Sequence, residues 1–544
     1  MVFKSKLPSF VEPTTGLYQF LFPNPSNIPD ERPMLFDALN PSKFLTYSQL
    51  KNYSLRFAAG LQDVCDFKDG DVLALYASSQ YEYALPYLGA IAAGGVITTA
   101  NPNFSLEELL EQFQQVKPKV IICQDDNIDI ALAAGDLSGV ERKNIFIFGD
   151  KEAQSFQPFK TALIRGRKAV VKDINFEQAK EKVAILCFSS GTTGRSKGVM
   201  TTHANMTANL IQFTSLERRY LNKKNDRILS VIPLFHIFGL TVILNTALYL
   251  GLPVYVLPRF DPVDFCETVQ NCKITYIPAV PTVCLFLAKQ KLVEEYNLSS
   301  LRLILCGGSP LSGDLVKEAM RKLPNLLIKQ GYGLTETSPF SIIEPSEETI
   351  HGSSGILLSN MTAKLVDDDG NEIQGGNRGE LWLKGPNIMK GYLNNPLATA
   401  DCMDDEGYFH TGDIVVVDKD EHFYVVDRKK ELIKHNGFQV PPAELEGILI
   451  TYPGIADCAV IGIYDHDLAT EMPRAYIALE GGMSSSPVLA ADIMKFVANK
   501  VAHYKQLRSL LFVDSIPRGP AGKILRRVLR ESTKEEDVKN ASKL

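Results

Sequence analysis

The chain has 544 residues, 45% of them hydrophobic and 22% charged, with a formal net charge of −6. That length allows roughly three to four domain-sized units, and the composition is globular, which excludes a disordered or fibrous chain. The acidic balance argues against a nucleic-acid partner, and nine cysteines without a C-x-x-C pair give neither a zinc site nor a disulfide framework.

Met1 to Glu12 lacks the apolar stretch of a secretory signal. Val72–Tyr76 reads as a strand, Gln80 to Gly94 as a helix, and Val96–Thr99, Val120–Cys123 and Ile145–Phe148 as further strands. Cys123, Cys187 and Cys306 lie in apolar runs, where a reduced thiol acts as a small hydrophobe; a reducing compartment is expected. From Ile228 to Pro258 no charged residue occurs, enough to span a bilayer. Pro233, His236, Asn245, Gly251 and Pro253 break it up, so a buried strand, a turn, a core helix and a second strand are expected, and no membrane span. Ile274–Ile277 and Leu303–Cys306 continue the strand series.

Past about residue 355 the texture changes to hairpins, with turn clusters at Asp368–Asn371 and Gly375–Gly379. His422–Lys430 is a strand that runs into charge, followed by an α+β pattern with a helix from Pro442 to Ile450 and a strand near Ala475 to Leu479. The basic run from Arg518 to Arg530 reads as a solvated helix face. The expected fold is α/β. A large N-terminal domain, residues 1–427, would hold stacked parallel sheets with helices and a small β-barrel subdomain at about 355–427; a small α+β domain, 428–531, and a tail, 532–544, would follow.

The run Ser189-Ser190-Gly191-Thr192-Thr193-Gly194-Arg195-Ser196-Lys197-Gly198 directly follows the apolar strand Val183–Phe188. It offers backbone N–H groups, hydroxyls and one cation to an anion, the needs of a triphosphate. It is not a Walker A loop, because no glycine precedes Lys197 and Gly198 follows it. In Gln330-Gly331-Tyr332-Gly333-Leu334-Thr335-Glu336-Thr337, two glycines would let backbone approach a flat ligand and Tyr332 would stack on a purine. Thr335 would donate to phosphate, and Glu336 would supply a hard oxygen for Mg²⁺. Asp413, in Thr411-Gly412-Asp413, and Arg428 would grip ribose hydroxyls from two sides.

With these motifs in order, followed by Asp427–Gly437 and Pro517-Arg518-Gly519-Pro520-Ala521-Gly522-Lys523, the chain resembles the acyl-adenylate-forming superfamily over nearly its whole length. That group includes acyl-CoA synthetases, plant 4-coumarate–CoA ligases, beetle luciferases and peptide-synthetase adenylation domains. The segment Lys434–Glu444 is similar to the luciferase and coumarate-ligase branch. The resemblance implies a ligase with ATP, Mg²⁺ and CoA. A carboxylate would attack the α-phosphate of ATP, and CoA would then displace AMP. By similarity, Ser189, Ser190, Gly191, Thr192, Thr193, Gly194 and Lys197 would hold the β and γ phosphates. Ser309, Gln330, Gly331, Tyr332 and Thr335 would line the adenylate, Glu336 would hold Mg²⁺, and Asp413 and Arg428 the ribose. Lys523 would bridge acyl carboxylate and α-phosphate, with His236 and Thr335 as further catalytic residues.

The resemblance further implies that Lys430 is the hinge of a mobile C-terminal domain, whose second face carries Lys434 near nucleotide and CoA. Asn436 and Gly437 would meet CoA, with Asn436 standing where coumarate ligases have a CoA-contacting lysine. His236, Phe238, Val242 and Gly333 would line the acyl pocket. Coumarate ligases have a tyrosine at the position of Phe238 and a small polar residue near Val242. A plain apolar tail therefore fits here, as in medium-chain fatty or unsubstituted aryl acids. A luciferase-like monooxygenase, a 4-coumarate-type ligase and a non-catalytic nucleotide-binding protein remain as alternatives. Ser542-Lys543-Leu544 matches the peroxisomal address tripeptide, so an import receptor and the peroxisomal matrix are expected.

Overall fold

This computed structural model describes residues 2–189, 196–375, 377–435, 438–465, 470–519 and 522–532. Two large sheets dominate. The first runs, in spatial order, Gly391–Tyr392, Lys197–Thr202, Val183–Ser189, Val96–Ala100, Val72–Tyr76, Val120–Cys123 and Ile145–Ile147. The second runs Ile356–Leu357, Phe340–Ile343, Leu327–Gly333, Leu303–Cys306, Tyr276–Ala279, Ile228–Ser230, Val254–Val256, Pro33–Asp37 and Phe44–Thr46.

Strand alternation sorts side chains between layers. Leu73, Leu75, Ile97, Ile122 and Ile185 of the first sheet share an inner core with Ile228, Val254, Leu303 and Leu305 of the second. Ala74, Tyr76, Ile121 and Cys123 face outward onto Leu109, Phe113, Ala131 and Ala134, from the helices Leu106–Val116 and Ile128–Leu137. Ile277, Ile304 and Cys306 do the same with Phe265, Leu287 and Val316. Helices Tyr47–Cys65, Ala84–Ala92 and His203–Glu217 contribute to the inner core. Ala84–Ala92 is buried on every side, as its lack of any charged residue requires.

The sheets are parallel through their centres and, in the first, out to the edge strand Ile145–Ile147, but not throughout. Val183–Ser189 pairs antiparallel with Lys197–Thr202, and Leu327–Gly333 with Phe340–Ile343. The expectation of parallel sheets is corrected at these pairs, which hold Ser189 and Lys197 of one motif and Gln330–Gly333 of the other. Short hairpin returns make these pairs, and alternation along the strands says nothing about direction.

The hairpin region forms an antiparallel sheet in the order Val2–Lys4, Thr362–Val366, Gly379–Lys384, Phe409–Val417 and Phe423–Arg428. It is not a closed barrel. Its edge strands share no ladder, although Phe3 and Phe423 meet edge-on at 5.8 Å across the roll. Val2–Lys4 was not foreseen as a strand, because three residues carry no periodicity.

The apolar run from Ile228 resolves as expected into strand, turn, helix and strand, but the helix begins as a π-helix over Gly239–Asn245. Among the described residues no helix is long and apolar enough to cross a membrane. Residues 433 to 532 are α+β, with the three-stranded sheet Ile455–Asp465, Thr470–Leu479 and Ser509–Phe512 packed on helices Pro442–Leu449 and Pro487–Ala498. Arg518 and Arg526 are not a solvated face. Arg526 is 9% exposed and pairs with Glu431 and with both oxygens of Glu446, and Arg518 pairs with Asp457. Arg518 and Arg526 find their carboxylates far away in the chain, on a strand (Asp457), a helix (Glu446) and a turn (Glu431). Arg527 remains exposed.

Candidate active site

A cavity of about 470 Å³ opens where the second large sheet, the rolled sheet and the C-terminal α+β unit meet. Its floor is the end of Leu327–Gly333, supplying Gln330, Gly331, Tyr332 and Gly333, beside Gly308 and Ser309 after Leu303–Cys306. Asp413 and Arg428 enter from the rolled sheet, and Lys523 from the C-terminal unit. Parallel strands commonly place ligands at such carboxyl ends.

Asp413 and Arg428 are cross-strand partners, with Arg428 Nε 3.3 Å from Asp413 Oδ1. They stand side by side, which corrects the picture of a grip from two sides: residues directly opposed on paired strands share a face. The Tyr332 hydroxyl donates to Asp413 Oδ2 at 2.6 Å. Burial pushes the Asp413 carboxyl up, opposed by Arg428. Burial also lowers the Lys523 ammonium, with the Arg428 charge acting in the same direction. Gln330 Oε1 accepts from Leu311 N at 3.1 Å, while its buried Nε2 has no partner among the described residues. An unsatisfied buried donor in a cavity wall suits a hydrogen-bonding ligand.

The glycines have a reason beyond ligand approach. A Cβ on Gly333 would lie 2.0 Å from the Pro339 carbonyl oxygen, and one on Gly331 would lie 2.8 Å from the Phe340 ring. The antiparallel return strand takes that space.

A second cluster adjoins the first through Leu334 and Thr335. Glu336, in the turn Thr335–Thr337, is buried, and its Oε1 accepts from the Tyr392 hydroxyl at 2.8 Å. Lys197 Nζ sits 4.8 Å from the centre of the same Tyr392 ring. Tyr392 thus joins the lysine of the first motif to the carboxylate of the second, and sequence reasoning missed it. Its only signal was Gly391-Tyr392 in a turn-rich segment. Ser189 pairs with Lys197 at the mouth of the hairpin; Ser190, Gly191, Thr192, Thr193 and Gly194 lie outside the described residues.

Phe238 meets Phe340 edge-on at 5.2 Å, and Phe340 in turn covers Gly331. Val242 is fully buried in the π-helix. His236 Nδ1 accepts from Phe238 N at 3.2 Å, leaving its proton on Nε2, and burial lowers its pKa to about 4. The imidazole is therefore neutral at physiological pH. His236, Phe238 and Val242 do not line the open cavity; Phe238 stands behind Gly331 through its contact with Phe340. Lys434 is not brought to the cavity. It is exposed on the hairpin Ile433–His435 and Phe438–Val440. Lys430 stands exposed in the turn after Phe423–Arg428, and Asn436 and Gly437 lie outside the described residues.

The sequence pattern described as AMP-binding enzyme matches residues 24–393, and that of the AMP-binding enzyme C-terminal domain matches 444–523. The chain belongs to the AMP-binding enzyme family. Among its relatives, 4-coumarate–CoA ligase 1 of Petroselinum crispum is 34% identical over 99% of this chain and 98% of its own. 4-Coumarate–CoA ligase 3 of Oryza sativa subsp. japonica is 36% identical over 97% and 94%. Among solved members, ATP-bound MatB from Rhodopseudomonas palustris superposes with a TM-score of 0.84 at 26% identity, covering 95% of this chain and 99% of MatB. The apo form of MatB gives 0.74 over the same shares. The large N-terminal and small C-terminal parts of this chain follow that family architecture.

Proposed function

We propose that this AMP-binding enzyme is an ATP-dependent acid–CoA ligase. In the first step a carboxylate oxygen attacks the α-phosphorus of ATP, the bond to the β-phosphate oxygen breaks, and acyl-AMP and pyrophosphate result. In the second, the CoA sulfur as thiolate attacks the acyl carbonyl and AMP leaves. The observation that carries this reading is the meeting of Lys523, the Asp413–Arg428 pair and the unpaired Gln330 Nε2 in one cavity. The names of the coumarate-ligase relatives supply the acceptor thiol.

Asp413, held by Tyr332, accepts from ribose hydroxyls, and Gln330 Nε2 donates to the nucleotide. Lys523 faces the α-phosphate, where charge develops; phosphoryl chemistry needs such stabilisation rather than a covalent nucleophile. The Glu336 carboxylate, fixed at one oxygen by Tyr392, fits Mg²⁺, which neutralises charge on the phosphates when bound. Lys197 and the hairpin loop hold the departing pyrophosphate. Lys430 acts as the hinge about which the C-terminal domain carries Lys523 away and brings Lys434 and the CoA face in. The better superposition on ATP-bound MatB supports an adenylation-type arrangement here.

The acid is apolar, of medium-chain fatty or aryl type. Neither Phe238 nor Phe340, in edge-on contact at 5.2 Å, has a polar atom to pair with a phenolic hydroxyl. Carboxylate-dependent pyrophosphate release, measured over an acid panel with and without CoA, tests both claims. Apolar acids are expected to lead, with thioester formed only when CoA is present. Phe238→Tyr is expected to move kcat/KM toward hydroxylated cinnamates, because an unpaired buried hydroxyl costs about 1–3 kcal/mol that a phenol partner removes. An unchanged preference would show that residue 238 is not part of the acyl wall. Pyrophosphate release that never leads to thioester would instead favour a different fate for the adenylate.

The peroxisomal matrix belongs to this proposal through Ser542-Lys543-Leu544, which lies outside the described residues. Removing the tripeptide is expected to leave catalysis intact and to make a fluorescent fusion cytosolic. Continued peroxisomal concentration would assign import to another signal.

A further inference from the structure

The segment that presents Lys523 is a short return, closed by Leu525 N donating to the Pro517 carbonyl at 2.8 Å and by an antiparallel bridge between Arg518 and Ile524. Gly519 N donates to the Lys523 carbonyl and Gly522 N to that of Gly519, both at 2.8 Å. Gly522 has φ +72°, and a Cβ there would meet Val280 and Thr282 at 3.2 and 3.4 Å. Gly522 thus presses bare backbone against the N-terminal wall.

Support comes from behind, through Arg518. Its Nη1 donates to the Gly522 carbonyl at 2.6 Å, while Nε and Nη2 form a two-pronged pair with Asp457 at 2.9 and 2.7 Å. Asp457 stands on the strand Ile455–Asp465 and its Oδ1 also accepts from Cys458 N at 2.8 Å. A guanidinium is rigid and planar, so clamping two of its nitrogens on Asp457 fixes the direction of the third. That third nitrogen holds the peptide unit immediately before Lys523.

We propose that Arg518 is a positioning residue for Lys523, transmitting the rigidity of the C-terminal sheet to the ammonium through Asp457 and the Gly522 carbonyl. The inference rests on the reading of Lys523 given above. A lysine stem has many rotamers, and loss of this backing spreads the ammonium over positions that do not meet the α-phosphate. Displacements of about 1 Å at a reacting centre can cost up to ~10²-fold in rate.

The test is a double-mutant cycle on the full chain, with adenylation read as pyrophosphate release and thioester formation read from supplied acyl-AMP and CoA. Arg518→Ala is expected to slow adenylation about tenfold with KM for ATP within about twofold, and to leave the thioester step unchanged. In a Lys523→Ala background the same change is expected to cost less than about twofold, because the group it positions is gone. Arg518→Lys keeps a cation beside Asp457 but cannot hold both partners in one plane, so it shows the same pattern at about threefold and serves if Arg518→Ala folds poorly. An equal loss in both backgrounds, or an equal loss in both half-reactions, makes Arg518 a general structural residue and overturns the inference. If Lys523→Ala alone adenylates at the wild-type rate, the reading of Lys523 falls and takes this inference with it.

Discussion

Lys523→Ala is expected to slow acyl-adenylate formation by about 10²–10³-fold, the usual cost of one preorganised donor, while conversion of supplied acyl-AMP and CoA to thioester stays near the wild-type rate. In the present arrangement Lys523 lines the same cavity as Asp413, Arg428 and Gln330. Its ammonium is held among low-dielectric walls, where burial lowers its pKa and where an interaction with developing phosphate charge is strongest. Such an interaction exists mainly in the transition state, so kcat falls and KM hardly moves. On the proposed reading, thioester formation takes place after the C-terminal domain has turned about Lys430, with Lys523 withdrawn. Measuring each half-reaction by itself decides the matter. Equal losses in both would sink the domain-alternation account and leave Lys523 a general binding residue.

The largest expected effect on stability comes from Lys329→Met, at about 3–5 kcal/mol. Lys329 and Glu217 are fully buried partners between the strand Leu327–Gly333 and the end of helix His203–Glu217. Lys329 Nζ also donates to Ser346 Oγ at 3.0 Å. Removing the lysine strands a carboxylate in the core, and Glu217 Oε2 already lacks a partner among the described residues. A denaturant midpoint series, comparing Lys329→Met with Glu217→Gln and the double variant, measures this. The double variant is expected to recover much of the loss, since removing both charges also removes the desolvation penalty. A single-variant loss below about 1 kcal/mol would mean that water reaches the pair.

The sequence was informative wherever a signal is local. Apolar runs marked the central strands, and turn residues marked the hairpins past residue 355. The nucleotide motifs could be read because glycines, hydroxyls and charges cluster within ten residues. What escaped was set by partners far away in the chain. Tyr392 matters only because a distant Glu336 and Lys197 converge on it. Arg518 and Arg526 looked solvated because Asp457, Glu431 and Glu446 are remote in sequence. Strand direction at Val183–Ser189 and Lys197–Thr202 leaves no mark in composition. The side-by-side placement of Asp413 and Arg428 depends on a register shift between Ile414 and Val415, which alternation alone does not announce.

The pairing of Val2–Lys4 with Thr362–Lys364 has a consequence for biosynthesis. It is reinforced by Ser5 N donating to the Met361 carbonyl and by the reciprocal bonds between Phe10 and Asn360. During translation at roughly 5–20 residues per second, the first strand leaves the ribosome on the order of 20–70 seconds before its partner is made. In that interval its unpaired backbone is an exposed edge that other chains can bind. Lys4 and Lys6 follow the apolar Phe3, and their charges oppose stacking of nascent copies on a polysome until the proper neighbour arrives.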